Sequence, residues 1–146
     1  MEPFEEFLNH AISLEKEAME LYQLLAGRAD KPEVAKVFSD MAAMEAGHKK
    51  KLQQVLKSGD LPKKGFYPDD DLKIANYVVD VDYRRDDLSY DEALIIGMKL
   101  EKASMDIYQQ LSKSVEDPEL KELFAFLTEE EAKHKHSFES KFDDLQ

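Results

Sequence analysis

The sequence contains no cysteine and no tryptophan, and only five glycines and five prolines in 146 residues. Without cysteine there are no disulfides, thiolate zinc sites, iron–sulfur clusters or cysteine nucleophiles, so any metal must be held by oxygen and nitrogen. The shortage of glycine and proline argues against a turn-rich β architecture and for long helices. Positive charge is scarce too: 20 Lys and Arg stand against 32 Asp and Glu, a formal net charge of -12. Such a surface makes nucleic acid and anionic membranes poor partners. No apolar run approaches the roughly 18 residues that a membrane span needs. The opening Met1-Glu2-Pro3-Phe4-Glu5-Glu6 has neither the basic start nor the apolar stretch of a secretory signal. The expectation is a cytoplasmic protein. What is present is 42% hydrophobic and 36% charged residues, enough for one packed domain over 1–146, since a chain of this length buries roughly two-thirds of its unfolded surface.

Apolar residues recur at three- and four-residue steps from Pro3 to Gly27 (Phe4, Phe7, Leu8, Ala11, Leu14, Ala18, Leu21, Tyr22, Leu25), which predicts an amphipathic helix. Asp30 and Pro32 offer a cap and a first-turn proline for a second helix, with Val34, Val37, Phe38, Met41, Met44, Leu52, Val55 and Leu56 on its apolar side. Ser58-Gly59-Asp60-Leu61-Pro62 stops it, and a connector over 59–88 follows. Ser89-Tyr90-Asp91-Glu92 has capping-box spacing and starts a third helix to about Lys113; Asp117-Pro118 starts a fourth to about Asp144. The methionines at 19, 41, 44, 98 and 105 are read as core packing, and Lys49-Lys50-Lys51, His10 and His136 as surface.

The two halves repeat. A shift of 86 residues, without a gap, lays Leu14-Glu15-Lys16 on Leu100-Glu101-Lys102, Tyr22-Gln23 on Tyr108-Gln109, Phe38 on Phe124, and Glu45-Ala46-x-His48-Lys49 on Glu131-Ala132-x-His134-Lys135. Two helical hairpins (3–58 and 89–144) joined by a long crossover predict an all-α four-helix bundle. The crossover must return along the bundle, a length of roughly 39 Å for a helix of this size, and if extended it can reach about 95 Å.

Within each repeat, polar residues sit where a core wants apolar ones. Glu15 is flanked at helical spacing by Ala11, Ile12, Ala18 and Met19, and Glu101 by Gly97, Met98, Ser104 and Met105, so both glutamates face inward. Glu45 and His48 are three apart, as are Glu131 and His134, and such pairs aim two side chains at one point from adjacent turns. Glu15 and Glu45 lie equally far in sequence from the turn near Asp30, and Glu101 and Glu131 from Glu116. An antiparallel hairpin therefore brings each pair to one height, near mid-helix. Four buried carboxylates without compensation repel one another. Two divalent cations cancel that charge with both histidines neutral, and this donor set suits iron(II) or manganese(II), with zinc or copper as competitors.

At these residues the chain resembles the ferritin-like superfamily and, within it, the rubrerythrin-like proteins, whose bundles carry a Glu from each of two helices and Glu-x-x-His from each of the others. The resemblance spans both hairpins, including Glu-x6-Tyr in each half. It implies two iron ions per chain, with Glu15 and Glu101 each a terminal ligand, Glu45 and Glu131 bridging, and His48 and His134 each completing one ion. It implies too that Tyr22 and Tyr108 donate hydrogen bonds to the ligand carboxylates. Full-length rubrerythrins resemble such a bundle joined to a four-cysteine rubredoxin domain, which this cysteine-free chain lacks. They tend also to carry a further glutamate one turn after the third-helix ligand, where this chain has Ser104.

The function expected from the resemblance is a di-iron oxidoreductase that reduces hydrogen peroxide, or dioxygen, with electrons from a separate rubredoxin-like or flavoprotein donor, assembled as a homodimer. The alternatives are a ferroxidase feeding iron storage or detoxification, and a metal-stabilised bundle without turnover.

Overall fold

In the computed structural model, residues 3–58 and 88–144 are described. Within them lie α1 (Pro3–Arg28), α2 (Pro32–Ser58), α3 (Tyr90–Ser114) and α4 (Pro118–Asp143), and no strand. The 59–88 crossover lies outside the described residues, apart from Leu88. α1 packs on α2, α3 on α4, and α1 on α3, giving the expected all-α four-helix bundle.

Local chemistry sets the helix ends. Ser89 caps α3, its Oγ accepting from the Glu92 N–H at 3.2 Å, and Asp117 caps α4 by accepting from the Glu119 N–H at 2.9 Å, each satisfying an orphan donor of a first turn. At α2 the cap differs from the sequence expectation: Lys31, not Asp30, holds that place, its carbonyl accepting from Val34 and Ala35. Lys31 is the repeat mate of Asp117, so only the second hairpin has an acid at this position.

The core is a continuous column of Leu, Phe, Ala and Tyr from all four helices, with Leu8, Leu14, Leu21, Leu25, Leu52, Leu94, Leu100, Phe38, Phe124 and Phe138 almost wholly buried. Each such side chain contributes about 1.5–3 kcal/mol when taken out of water. Val37 and Met44, assigned to the apolar side of α2, are instead exposed. They belong to the margin of that stripe, beyond the arc that the neighbouring helices cover.

The 86-residue repeat is visible in space as a two-fold relation between hairpins. Phe4 meets Phe124 edge-on with ring centroids 6.1 Å apart, and their repeat mates Tyr90 and Phe38 meet edge-on at 6.2 Å. Such paired contacts require the two copies to face each other across an axis through mid-bundle, where the polar residues are.

Candidate metal centre

The inward glutamates and the Glu-x-x-His pairs converge at mid-bundle. Glu15, Glu45, Glu101 and Glu131 have no accessible surface, while His48 and His134 retain 4%, so both histidines mark the edge of the cluster nearest solvent. His48 Nδ1 lies 3.0 Å from Glu131 Oε1, 3.7 Å from Glu15 Oε2 and 3.8 Å from Glu45 Oε2. His134 Nδ1 lies 2.5 Å from Glu45 Oε1, 3.6 Å from Glu101 Oε1 and 3.8 Å from Glu131 Oε2. Every contact of one histidine thus has its 86-residue counterpart at the other. Each histidine is closest to the glutamate of the opposite hairpin, a crosswise arrangement that intra-repeat spacing does not reveal.

Two overlapping donor groups result, each with its donor atoms within 4.8 Å of one another: Glu15, Glu45, His48 and Glu131, and Glu45, Glu101, Glu131 and His134. Glu45 and Glu131 belong to both. The electrostatics show what protein groups alone must do to keep the cluster. Burial, then the charges of Glu131 and Glu45, raise Glu15 well above the ordinary carboxylate value. Burial, then Glu101 and Glu45, does the same to Glu131, and burial lifts Glu101 to about 8. Burial also opposes ionisation of Glu45, yet hydrogen bonding with Glu15, His134 and His48 overrides it and holds this carboxyl well below the usual range. Burial disfavours the imidazolium of His48, but hydrogen bonds with Glu15 and Glu45 raise it to about 9; His134 is raised through Glu45 in the same way. The protein thus offsets four clustered acids with protons.

Even so, the cluster is not satisfied by protein groups. Glu15 Oε2, Glu45 Oε2, both oxygens of Glu101, Glu131 Oε2 and His134 Nε2 are buried without a hydrogen-bond partner. Each such atom costs about 1–3 kcal/mol when left unpaired, and native interiors keep few of them. Five are carboxylate oxygens at one site, the hard donors that divalent cations take. The residues present fit a metal pair.

The tyrosines act across the hairpins. Tyr108 donates to Glu15 Oε1 at 2.5 Å, on the other repeat and not on its own helix. Tyr22 is equally buried, with its hydroxyl unpartnered. Its ring meets His134 edge-on at 6.3 Å and packs on Phe138 at 5.1 Å. Ser104, one turn beyond Glu101, is buried.

Phe138, on the same face of α4 as Glu131 and His134, packs beside the site against Tyr22. A Cβ on Gly97 would fall 2.5 Å from its ring. The sequence carried a signal: where the first repeat has Ala11 and Leu52, the second has Gly97 and Phe138, a small-for-large exchange on each side of one contact.

The family model described as Rubrerythrin matches residues 6–141. Among solved structures, a hypothetical protein from Pyrococcus furiosus is similar over 96% of this chain and 88% of its own, with a TM-score of 0.73 and 22% identity. An uncharacterized conserved protein from Magnetospirillum magnetotacticum is similar over 94% and 92%, with a TM-score of 0.64 and 28% identity. No curated protein gives a significant match. No helix among the described residues is long and apolar enough to cross a membrane.

Proposed function

The chain belongs to the rubrerythrin family, and on that premise we propose that it is a non-haem di-iron carboxylate oxidoreductase that reduces hydrogen peroxide with electrons from a separate donor. The observation that carries this reading is the pair of overlapping buried donor groups with orphaned carboxylate oxygens. In this reading Glu15 and His48 serve one ion, Glu101 and His134 the other, and Glu45 with Glu131 serves both. Two ferrous ions bound there supply two electrons and Lewis acidity to a peroxide.

The chain's own residues do the rest. Displacing the protons now shared among the acids makes ion binding release protons. The Tyr108 hydroxyl fixes the rotamer of Glu15 and steadies its charge. The leucine and phenylalanine column above and below the cluster excludes bulk water. The slight exposure of the histidines, 4% against none for the glutamates, supports an approach of a small oxidant from the side of α2 and α4. Carrying the resemblance further, the protein is a cytoplasmic homodimer that takes its electrons from a rubredoxin-like or flavoprotein partner.

The test is anaerobic stopped-flow absorbance of chain loaded with two ferrous ions, mixed in parallel with hydrogen peroxide and with dioxygen. Rapid ferric formation with peroxide and slow reaction with dioxygen is the expected result. Equal or faster oxidation by dioxygen would overturn the peroxidase reading in favour of ferroxidase chemistry.

A further inference from the structure

A file of aromatic rings runs from the cluster to one end of the bundle. His134 meets Tyr22 at 6.3 Å between ring centroids, Tyr22 meets Phe138 at 5.1 Å, Phe138 meets Phe38 at 5.9 Å, and Phe38 meets Tyr90 at 6.2 Å. Every ring is in contact with the next, and the file ends at Tyr90. On the symmetry-related side Leu52 occupies the place of Phe138, and a shorter file runs from Tyr108 through Phe124 at 6.5 Å to Phe4 at 6.1 Å, away from the Tyr90 end.

Tyr90 also lines a cavity of about 400 Å³ between the α1–α2 turn, the start of α3 and the end of α4. That volume is in the range of small-molecule sites. Arg28, Lys31 and Lys141 line it together with Asp30 and Asp144. On a chain of net charge -12, three cations against two acids around one concavity leave a local positive excess that favours an anion. Lys31 and Lys141 pair with no acid among the described residues, and Arg28 spends one donor on the Leu88 carbonyl at 2.5 Å, which leaves the rest of its fork for a phosphate or carboxylate. The partly buried Tyr90 ring adds an apolar wall for a planar group.

We propose that this cavity binds the reductant, a planar redox-active ring bearing a phosphate, of which reduced flavin mononucleotide is the representative, and that the Tyr90–Phe38–Phe138–Tyr22 file connects it to His134. This rests on the di-iron reading for the destination of the electrons and on the cavity alone for the binding. A dihydroflavin gives up two electrons and two protons and becomes oxidised flavin. The protons leave to solvent at the open cavity, and the two electrons convert two ferric ions to two ferrous ions. The cations hold the phosphate, and the ring lies against Tyr90.

The test begins with the full metal-free chain, titrated with flavin mononucleotide, riboflavin and inorganic phosphate, with flavin fluorescence and calorimetry as readouts. Flavin mononucleotide is expected to bind at least about tenfold more tightly than riboflavin, with that margin erased in Arg28→Glu/Lys141→Glu, a charge reversal at surface positions. Equal affinity for riboflavin, or unchanged affinity in the double variant, would overturn the cation site; binding of inorganic phosphate as tightly as the mononucleotide would overturn the planar ligand. In the iron-loaded ferric chain, Phe38→Leu is expected to leave flavin affinity unchanged and slow bleaching by photoreduced flavin mononucleotide at least about tenfold, while reduction by dithionite stays at the wild-type rate. Unchanged bleaching would overturn the file as the route. The di-iron reading fails separately, if dithionite-reduced protein does not react with peroxide, whatever the flavin titration shows.

Discussion

The Tyr108 hydroxyl donates to Glu15 at 2.5 Å across the two hairpins, whereas its repeat mate Tyr22 leaves a hydroxyl buried and unpaired. Two tyrosines at equivalent positions of the repeat therefore stand in opposite energetic positions. In the metal-free chain, Tyr108→Phe removes a hydrogen bond to a buried carboxyl and is expected to cost about 1–3 kcal/mol. Tyr22→Phe removes an unsatisfied polar group and is expected to be neutral or slightly stabilising, within about 0.5 kcal/mol. Urea unfolding of both variants checks this, and equal destabilisation would show the two halves to be equivalent in solution.

That asymmetry also marks how far the sequence could be read. The hairpins, the caps of α3 and α4 and the inward glutamates were legible because helical periodicity, caps and an ungapped repeat report on single helices and on each helix with its neighbour. Glu15 among Ala11, Ile12, Ala18 and Met19 could only be buried. The crosswise pairing of His48 with Glu131 and His134 with Glu45 was not legible, because it depends on how the hairpins face each other. Spacing sets Tyr108 two turns from its own Glu101 without saying which carboxylate it meets, and the structure gives its hydroxyl to Glu15. Val37 and Met44 fit an apolar stripe by count yet lie outside the covered arc. The ring file and the cavity at Arg28 join residues from four elements, so no local pattern announces them.

Glu45 and Glu131 belong to both donor groups, while Glu15 and Glu101 belong to one each. Removing a shared carboxylate should therefore harm both ion positions, and removing an unshared one should harm a single position. Glu45→Ala and Glu131→Ala are expected to lose two-ion binding altogether, and Glu15→Ala and Glu101→Ala to keep about one ion per chain. Anaerobic ferrous titration followed by metal analysis of the desalted chain decides it. Two ions retained in Glu45→Ala would remove that residue from the ligand set.

Stability of the metal-free chain should fall as pH rises. Glu101 keeps its proton to about 8 in the fold against 4.5 ordinarily, so the folded state binds more protons between these values. Its contribution is complete below about pH 4.5 and is lost as pH rises through about 8. His48, raised from 6.5 to about 9, acts in the same direction over a higher window. Glu45, whose carboxyl is lowered, acts oppositely, and its contribution is lost only as pH falls below the ordinary carboxylate range. The melting temperature of metal-free chain is therefore expected to decline from about pH 5 to about pH 9, and that of iron-loaded chain to decline less or to rise, because bound metal replaces the protons. A metal-free melting temperature that rises over this window would contradict the proton sharing in the cluster.

Gly97 and Phe138 form a contact that the other half of the molecule solves differently. A methyl group on Gly97 would meet the Phe138 ring at 2.5 Å, closer than packed carbons tolerate, and the ring is held on its other sides by Tyr22 and Phe38. Gly97→Ala alone should gain helix propensity, about 1 kcal/mol, and lose more to overpacking, for a net destabilisation of up to about 2 kcal/mol. Phe138→Leu alone should leave a cavity beside a glycine and cost about 1–3 kcal/mol. Together they recreate the Ala11 and Leu52 combination found at the same positions of the first repeat, a larger residue at the glycine position with a smaller one at the phenylalanine position. The double variant should therefore be more stable than the sum of the single effects, by at least about 1 kcal/mol in a double-mutant cycle. Additive costs would mean that the Phe138 ring moves aside freely, and that the close approach of α3 and α4 does not depend on the glycine.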